Sequence, residues 1–442
     1  MRHSITSTRR MRRSLLLVLS LCILTLLSQE VRAADEITSG ETLELSRCIA
    51  IALKNHPSLL SATGSFDASR SRVYQARSGY YPQVSASSAY SRTHPPGVVS
   101  GSGGTGKGAF DEYQGSVNLN QTLFDFGKTS TQVEVNSLDA DASKADLEDV
   151  TSQVVLGVRQ AYYGILQAKQ SREANAETVA QFEQHLEQAR RFYEVGIRAK
   201  IDVTTAEVDL SQAKLNLLKA QNGERIARIT LNNAMGMPDA PAYEVKEDLG
   251  YQDYPIDLET ALKRGYEMRP DYAAVKARRE AAERSIDLAY TGYYPVLSGN
   301  ALYGWTGQDF PLEKEWSFGA SLSFPLFSGF LTRYQVEEAR GNLEVLKGDE
   351  ALVRQNVRFD VEQAFYNLND TREGIVLAKL SVEQAKENRE LAQGRYATGV
   401  GNTIEVTDAL VTEINAKTSY INALFAYRLA IANLEKAMGI KE

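Results

Sequence analysis

Proline is scarce in this chain, with 11 in 442 residues, and none falls between 128 and 194 or between 331 and 397. An interior proline removes a helical hydrogen bond and clashes with the preceding turn. Two stretches of 67 residues are therefore free of the strongest helix breaker. Cysteine is scarcer still: Cys22 and Cys48. If the leader containing Cys22 is removed, Cys48 is the only thiol left, which excludes an intrachain disulfide. Histidine is equally thin. His56, His94 and His185 stand far apart without metal-ligand spacing, so no metal site and no cofactor is expected. No Ser-His-Asp or Cys-His arrangement can be defended either, and the chain is expected not to be an enzyme. Beyond Ala33 no apolar run reaches membrane-helix length. If the mature chain enters lipid, it must do so as a closed β-barrel, because a bilayer leaves no unpaired backbone group satisfied.

The amino terminus reads as an export signal. Arg9, Arg10, Arg12 and Arg13 form a basic head, Leu15 to Leu27 an apolar stretch, and Val31-Arg32-Ala33 a small-residue cut after Ala33. Leu21 before Cys22 does not fit a lipoprotein cut. Residues 1–33 hold six Arg and one Glu, so the remainder stands at −12 against −7 for the whole chain. Such a chain is not a general nucleic-acid binder.

The chain is written twice. Tyr80-Tyr81-Pro82 returns as Tyr293-Tyr294-Pro295, Leu123-Phe124 as Leu326-Phe327, and Ala161-Tyr162-Tyr163 as Ala364-Phe365-Tyr366. Tyr193-x-x-Gly196 returns as Tyr396-x-x-Gly399, Ile201-Asp202-Val203 as Ile404-Glu405-Val406, and Ala234-Met235-Gly236 as Ala437-Met438-Gly439. The offset is 203 from Leu123 onward and 213 before it. The extra residues fall in the Gly- and Pro-rich stretch Pro95–Gly108, which reads as an external loop. Its Gly-rich run lacks the final Ser or Thr and the following helix of a phosphate loop.

Each copy has one grammar. A short helix (about 42–55 and 256–268) and a second (to about 79 and 291) come first. Strands follow at about 82–94 and 112–124, and at about 295–306 and 315–327. Then come long helices at about 128–194 and 331–397, and last helices at 202–236 and 404–438. The copies would span 34–236 and 256–442, with 237–255 as a linker. At about 1.5 Å per residue, each long helix would extend roughly 100 Å, the length of a coiled-coil-like array. Val150, Val154, Val158, Tyr162 and Ile165 match Val353, Val357, Val361, Phe365 and Leu368. The eleven-residue span from Val154 to Ile165 favours straight or right-handed packing.

In the last strand Trp316, Phe318, Ala320, Leu322 and Phe324 alternate with Ser317, Gly319, Ser321 and Ser323. A period of two puts the sets on opposite faces, apolar toward lipid and small polar toward water. Tyr80, Tyr81, Tyr293, Tyr294, Trp305 and Trp316 sit where interfacial aromatics belong. Four strands cannot close a barrel, so several copies must pool theirs. A periplasmic coiled-coil or adaptor-like protein without a pore is the rival reading.

Taken in order and at constant offset, these motifs resemble the TolC family of outer-membrane efflux proteins over nearly the whole mature chain. The resemblance implies an α+β membrane fold: a long antiparallel helical tunnel, and four strands per chain given to a trimeric 12-stranded outer-membrane barrel. It implies an exit duct of a tripartite efflux or type I secretion system, reaching from the outer membrane into the periplasm. The partners it implies are two sister subunits, a periplasmic adaptor and an inner-membrane transporter, with 237–255 around the tunnel's equator. The turns 193–205 and 396–408 would form the periplasmic entrance. There the family's closed aperture is lined by a Tyr and two acidic residues, matched here by Tyr396, Glu405 and Asp408, with Asp202 in the first turn. The family's locking Arg is replaced by Gly401, and Arg198 is its candidate substitute. Tyr193, Gly196, Tyr396 and Gly399 would meet the adaptor.

Overall fold

The computed structural model describes residues 37–94, 109–247 and 250–440. The expected export signal and the expected loop 95–108 lie outside them. Along the chain run β1 (Thr42–Leu43), α1 (Leu45–Asn55), α2 (Pro57–Arg77), β2 (Gln83–Thr93), β3 (Phe110–Phe124), α3 (Lys128–Glu194), α4 (Lys200–Ala234) and β4 (Glu244–Val245). Then follow α5 (Leu258–Met268), α6 (Pro270–Tyr290), β5 (Val296–Gly307), β6 (Glu313–Ser323), α7 (Leu331–Ala397) and α8 (Thr403–Ala437). Pro57 and Pro270 open α2 and α6, where the missing N–H costs nothing. The contacts divide the chain into two compact units that cut across the copies: 1–60, 151–261 and 362–442 in one, 61–150 and 262–361 in the other.

The first unit is helical. Its core includes Val158, Tyr162, Leu166, Leu231 and Leu434, all essentially without exposure. Each such side chain contributes about 1.5–3 kcal/mol by leaving water. The sequence puts helix at 42 and 43, but Thr42–Leu43 instead pairs in parallel with Glu244–Val245. Leu43 and Val245 are buried by this pairing, and the Tyr162 hydroxyl donates to the Lys246 carbonyl at 2.8 Å beside it. The 237–255 segment is tied down further by Tyr243, whose hydroxyl donates to Asn232 Oδ1 at 2.6 Å, and by the Tyr427 hydroxyl on the Gln252 carbonyl at 2.7 Å. Burial pushes the Cys48 thiol up to about 12, which leaves it unreactive.

Four helix ends share one device. Gly236 and Gly439 have φ of 72° and 77°. Met237 N donates to Asn232 O and Ile440 N to Glu435 O, each at 2.9 Å. Gly196 and Gly399, with φ of 76° and 81°, end α3 and α7 in the same way, through Ile197 N on Phe192 O and Val400 N on Arg395 O. These are Schellman caps, which need a left-handed residue after the last turn.

The second unit holds one antiparallel sheet in the order β2-β3-β5-β6. Its register sorts the faces. Val84, Leu119, Ala301 and Phe318 line up across the four strands, as do Ala86, Val117, Tyr303 and Trp316. On the other face Ser87, Ser116, Gly304 and Glu315 align, and beside them Asn120, Asn300 and Gly319. Phe318 is 79% and Trp316 69% exposed, so nothing among the described residues covers this part of the apolar face. Among the described residues, strands β2 and β6 each have a neighbour on one side only. At the helical end of the sheet Phe126–Gly127 and Gly329–Phe330 are consecutive left-handed pairs, one in each copy. Phe126 stacks 5.7 Å from Tyr294 there. A left-handed Phe is strained and persists only where its surroundings fix it.

Candidate gate at the helix-hairpin turns

Helices α3 and α4 form one hairpin and α7 and α8 another, and both turns belong to the first unit. Each hairpin is held in register by ion pairs placed symmetrically about its turn. Glu183 meets Lys214 at 3.1 Å and Arg190 meets Glu207 at 2.8 Å; in the second hairpin Arg389 meets Glu413, and Arg395 meets Glu405 at 3.2 Å. The exposed pairs are worth under about 1 kcal/mol each, so they align the helices more than they stabilise them.

Arg198 reaches across from the first turn to the second. Its guanidinium donates to the carbonyls of Gly401 and Gly399 and lies 5.2 Å over the Tyr396 ring. The position opposite explains Gly401. A Cβ there would stand 3.0 Å from Arg395 Cβ and from the Tyr396 amide. No side chain, Arg included, fits at 401 without moving that backbone.

Tyr396 requires a correction. The resemblance implies a ring lining the closed aperture or meeting an adaptor, yet within the single chain the ring is fully buried. Gly399 turns the chain just after it, and the ring packs into the core formed by Phe182, Leu186, Ala189, Val406 and Leu410. Phe192 and His185 lie 5.5 and 5.2 Å from it. Burial pushes its hydroxyl up, Asp202 adds to this and Arg198 opposes it. Its counterpart Tyr193 is 45% exposed, so the copies diverge here.

Glu405 is half-buried and has two local duties. It pairs with Arg395, which the sequence reading did not single out, and it takes part in the cap of α8. Asn402 Oδ1 accepts from Glu405 N at 2.9 Å, and Asn402 Nδ2 lies 3.4 Å from Glu405 Oε1. Asp408 is exposed, Asp202 half-buried, and Gly196 and Gly399 lie exposed in their turns.

The model of the family described as "Outer membrane efflux protein" matches residues 48–237 and 262–440. The chain is 24% identical over 413 residues to "Outer membrane protein TolC" of Escherichia coli (strain K12), covering 87% of this chain and 80% of that one. It is 23% identical to the "Probable efflux pump outer membrane protein TtgC" of Pseudomonas putida, over 89% of this chain and 82% of that protein. In fold it is similar to a crystal structure of a membrane protein from Pseudomonas aeruginosa, at a TM-score of 0.81 and 21% identity, covering 89% of this chain and 92% of that one. The Campylobacter jejuni CmeC outer membrane channel follows at 0.79 and 20%, with 89% and 85% covered. With both copies matched in full order, the chain belongs to the outer membrane efflux protein family.

Proposed function

We propose that three copies of this chain pool their sheets into one closed 12-stranded barrel and their long helices into a tunnel leading to the periplasm. The observation that carries this is the two-faced sheet whose outer strands, β2 and β6, each have one edge without a partner among the described residues. Its apolar face suits lipid, and its edges can be satisfied there only by further strands. The copies, 34–236 and 256–442, contribute equivalent parts, and 237–255 belts the tunnel. The duct is passive, and a periplasmic adaptor and an inner-membrane transporter supply selection and energy. Tyr193, Gly196 and Gly399, exposed at the turns, are the docking points for the adaptor.

Gating is assigned to the same turns. Arg198 serves as the lock in place of an Arg at position 401, through its bond to the Gly401 carbonyl. Glu405 and Asp408, with Asp202 nearby, become rings of negative charge on threefold assembly, which attract cations and repel one another. Two measurements test this. Outer-membrane detergent extracts are expected to contain a heat-resistant trimer that conducts ions in planar bilayers; a water-soluble monomer sinks the duct. In that trimer Glu405→Ser with Asp408→Ser is expected to raise single-channel conductance several-fold and to weaken block by multivalent cations. Unchanged conductance removes both residues from the gate.

A further inference from the structure

Beneath the Arg198 bridge lies a histidine that the gate described above does not use. His185, on α3, is 3% exposed. Its Nε2 is 2.9 Å from Thr403 Oγ1, on the first residue of α8, so the contact runs from one hairpin to the other. Its Nδ1 is buried with no hydrogen-bond partner among the described residues. The Tyr396 hydroxyl lies beside the same Thr403, whose side chain favours its ionised form. We infer that His185 is a proton-sensitive catch between the two hairpins, engaged while the imidazole is neutral and released when it takes a second proton.

Three features of the site make the charged form unwelcome while the hairpins are closed. An imidazolium must donate from both nitrogens, and the second N–H would be buried without an acceptor. A cation would also sit at the amino terminus of α8, where the helix dipole is positive. Finally, His185 is almost without exposure, and its ring packs on Tyr396, which belongs to an apolar cluster with Phe182, Leu186 and Val406.

The surrounding groups have distinct parts. Helix α4 presents Asp209 and Asp202, which favour the proton, but desolvation outweighs them and holds the imidazole below its usual range. Asp209 is already engaged by the Thr407 hydroxyl at 2.8 Å. Helix α7 presents Tyr396, α8 presents Thr403, and Arg198 lies over the same Tyr396 ring. Opening the hairpins would rehydrate His185 and let Asp202 and Asp209 receive its N–H groups.

The direction of the pH effect follows from this. Because the closed form binds the proton more weakly than the open form, closure is fully stable above about pH 6.5 and loses stability as pH falls through that value. The ratio of open to closed hairpins can rise up to about tenfold per pH unit below it. Free carboxylates titrate near pH 4, outside this window.

The inference rests on the turns being a closable entrance, but its test does not need a conducting pore. Hydrogen exchange of peptides covering 193–205 and 396–408 is to be measured on the detergent-extracted full chain at pH 7.5 and 5.5, corrected for intrinsic rates. The wild type is expected to lose up to about tenfold in protection at pH 5.5, and His185→Gln, which keeps a donor for Thr403, to lose none of that on acidification. A His185 that merely packs would give a variant loosened equally at both pH values with the pH response intact, and that result overturns the proposal. So does pH-independent protection in the wild type. Should the variant fail to assemble, exchange at the imidazole C2 of the wild type reads His185 directly: a midpoint below about 6.5 is expected, and one at or above it refutes the catch. Failure to conduct in bilayers would count against the duct alone.

Discussion

Gly236→Ala is expected to strip the outer membrane of most assembled protein, whereas Gly196→Ala is expected to leave most of it in place. Both glycines close Schellman caps with left-handed φ, at 72° and 76°. An alanine pays about 1 kcal/mol for that conformation at either site. The difference lies in the space around them. A Cβ on Gly236 would stand 2.8 Å from the Asn55 carbonyl oxygen, 2.9 Å from its carbon and 3.0 Å from His56 Cα. These are backbone atoms, and they cannot rotate away as a side chain could. The end of α4 must separate from the junction of α1 and α2, with an overpacking cost of about 1–3 kcal/mol in addition. A Cβ on Gly196 meets nothing within 4 Å. Melting of the helical circular dichroism in detergent measures both variants. Equal shifts would mean that the close approach of Gly236 is not what fixes this junction.

The sequence exposed the rods more readily than the ties between them. Helices α3 and α7 were legible because no proline falls in 128–194 or 331–397 and because Tyr193-x-x-Gly196 and Tyr396-x-x-Gly399 end them. Strand faces were legible in β6 because its alternation is strict. In β5, Leu302 falls among polar residues, and only the register with Asn118 and Ser317 assigns its face. The β1–β4 pair was not legible at all. Two residues form each strand, some 200 positions apart, and no periodicity exists over so short a span.

At the helix-hairpin turns, residue types were easier to read than their surroundings. Arg198, Glu405 and Asp202 were singled out because the resemblance puts a closed aperture at these turns, where Glu405 and Asp202 match its acidic positions and Arg198 is the candidate for its Arg. The burial of Tyr396 was missed because the chain itself does not say which side of a hairpin its neighbour covers. Arg395 could have been found by one geometrical rule. In an antiparallel hairpin, residues equidistant from the turn face one another, and 395 and 405 are symmetric about 400. Arg190 with Glu207 and Glu183 with Lys214 obey the same rule about the first turn. His185 gave no signal, because a lone histidine in a polar helix looks like any solvated residue until its partner on another element is known.

The copies also differ where the short helices join, and there Arg269→Ala is expected to cost about 3 kcal/mol while His56→Ala costs under about 1. Arg269 caps α6 with a side chain only 12% exposed. Its Nε and Nη2 donate to Asp271 at 2.9 and 2.6 Å, and its Nη1 donates to Asp360 on α7 at 2.7 Å. Burial alone would make the guanidinium easier to deprotonate, but the bonds to Asp271 and Asp360 overcome this and hold the charge more firmly. Next to it Tyr272 and Val275 pack on Val357, so ion pair and apolar contact join the same two helices. Truncation leaves two carboxylates facing each other across a vacated space, which is why the cost exceeds that of a surface pair. Lysine should recover only part of the loss, since it cannot hold Asp271 with two parallel bonds. At the matching positions copy one has His56 and Gly157, which cannot form this clamp. His56 Nδ1 only receives the Ser58 amide, at 3.3 Å. Urea unfolding of the detergent-extracted protein ranks the variants as wild type, His56→Ala, Arg269→Lys, Arg269→Ala. If Arg269→Ala proves as stable as His56→Ala, the guanidinium is repaying only its own desolvation, and the apolar contact between Val357 and Tyr272 carries the junction without it.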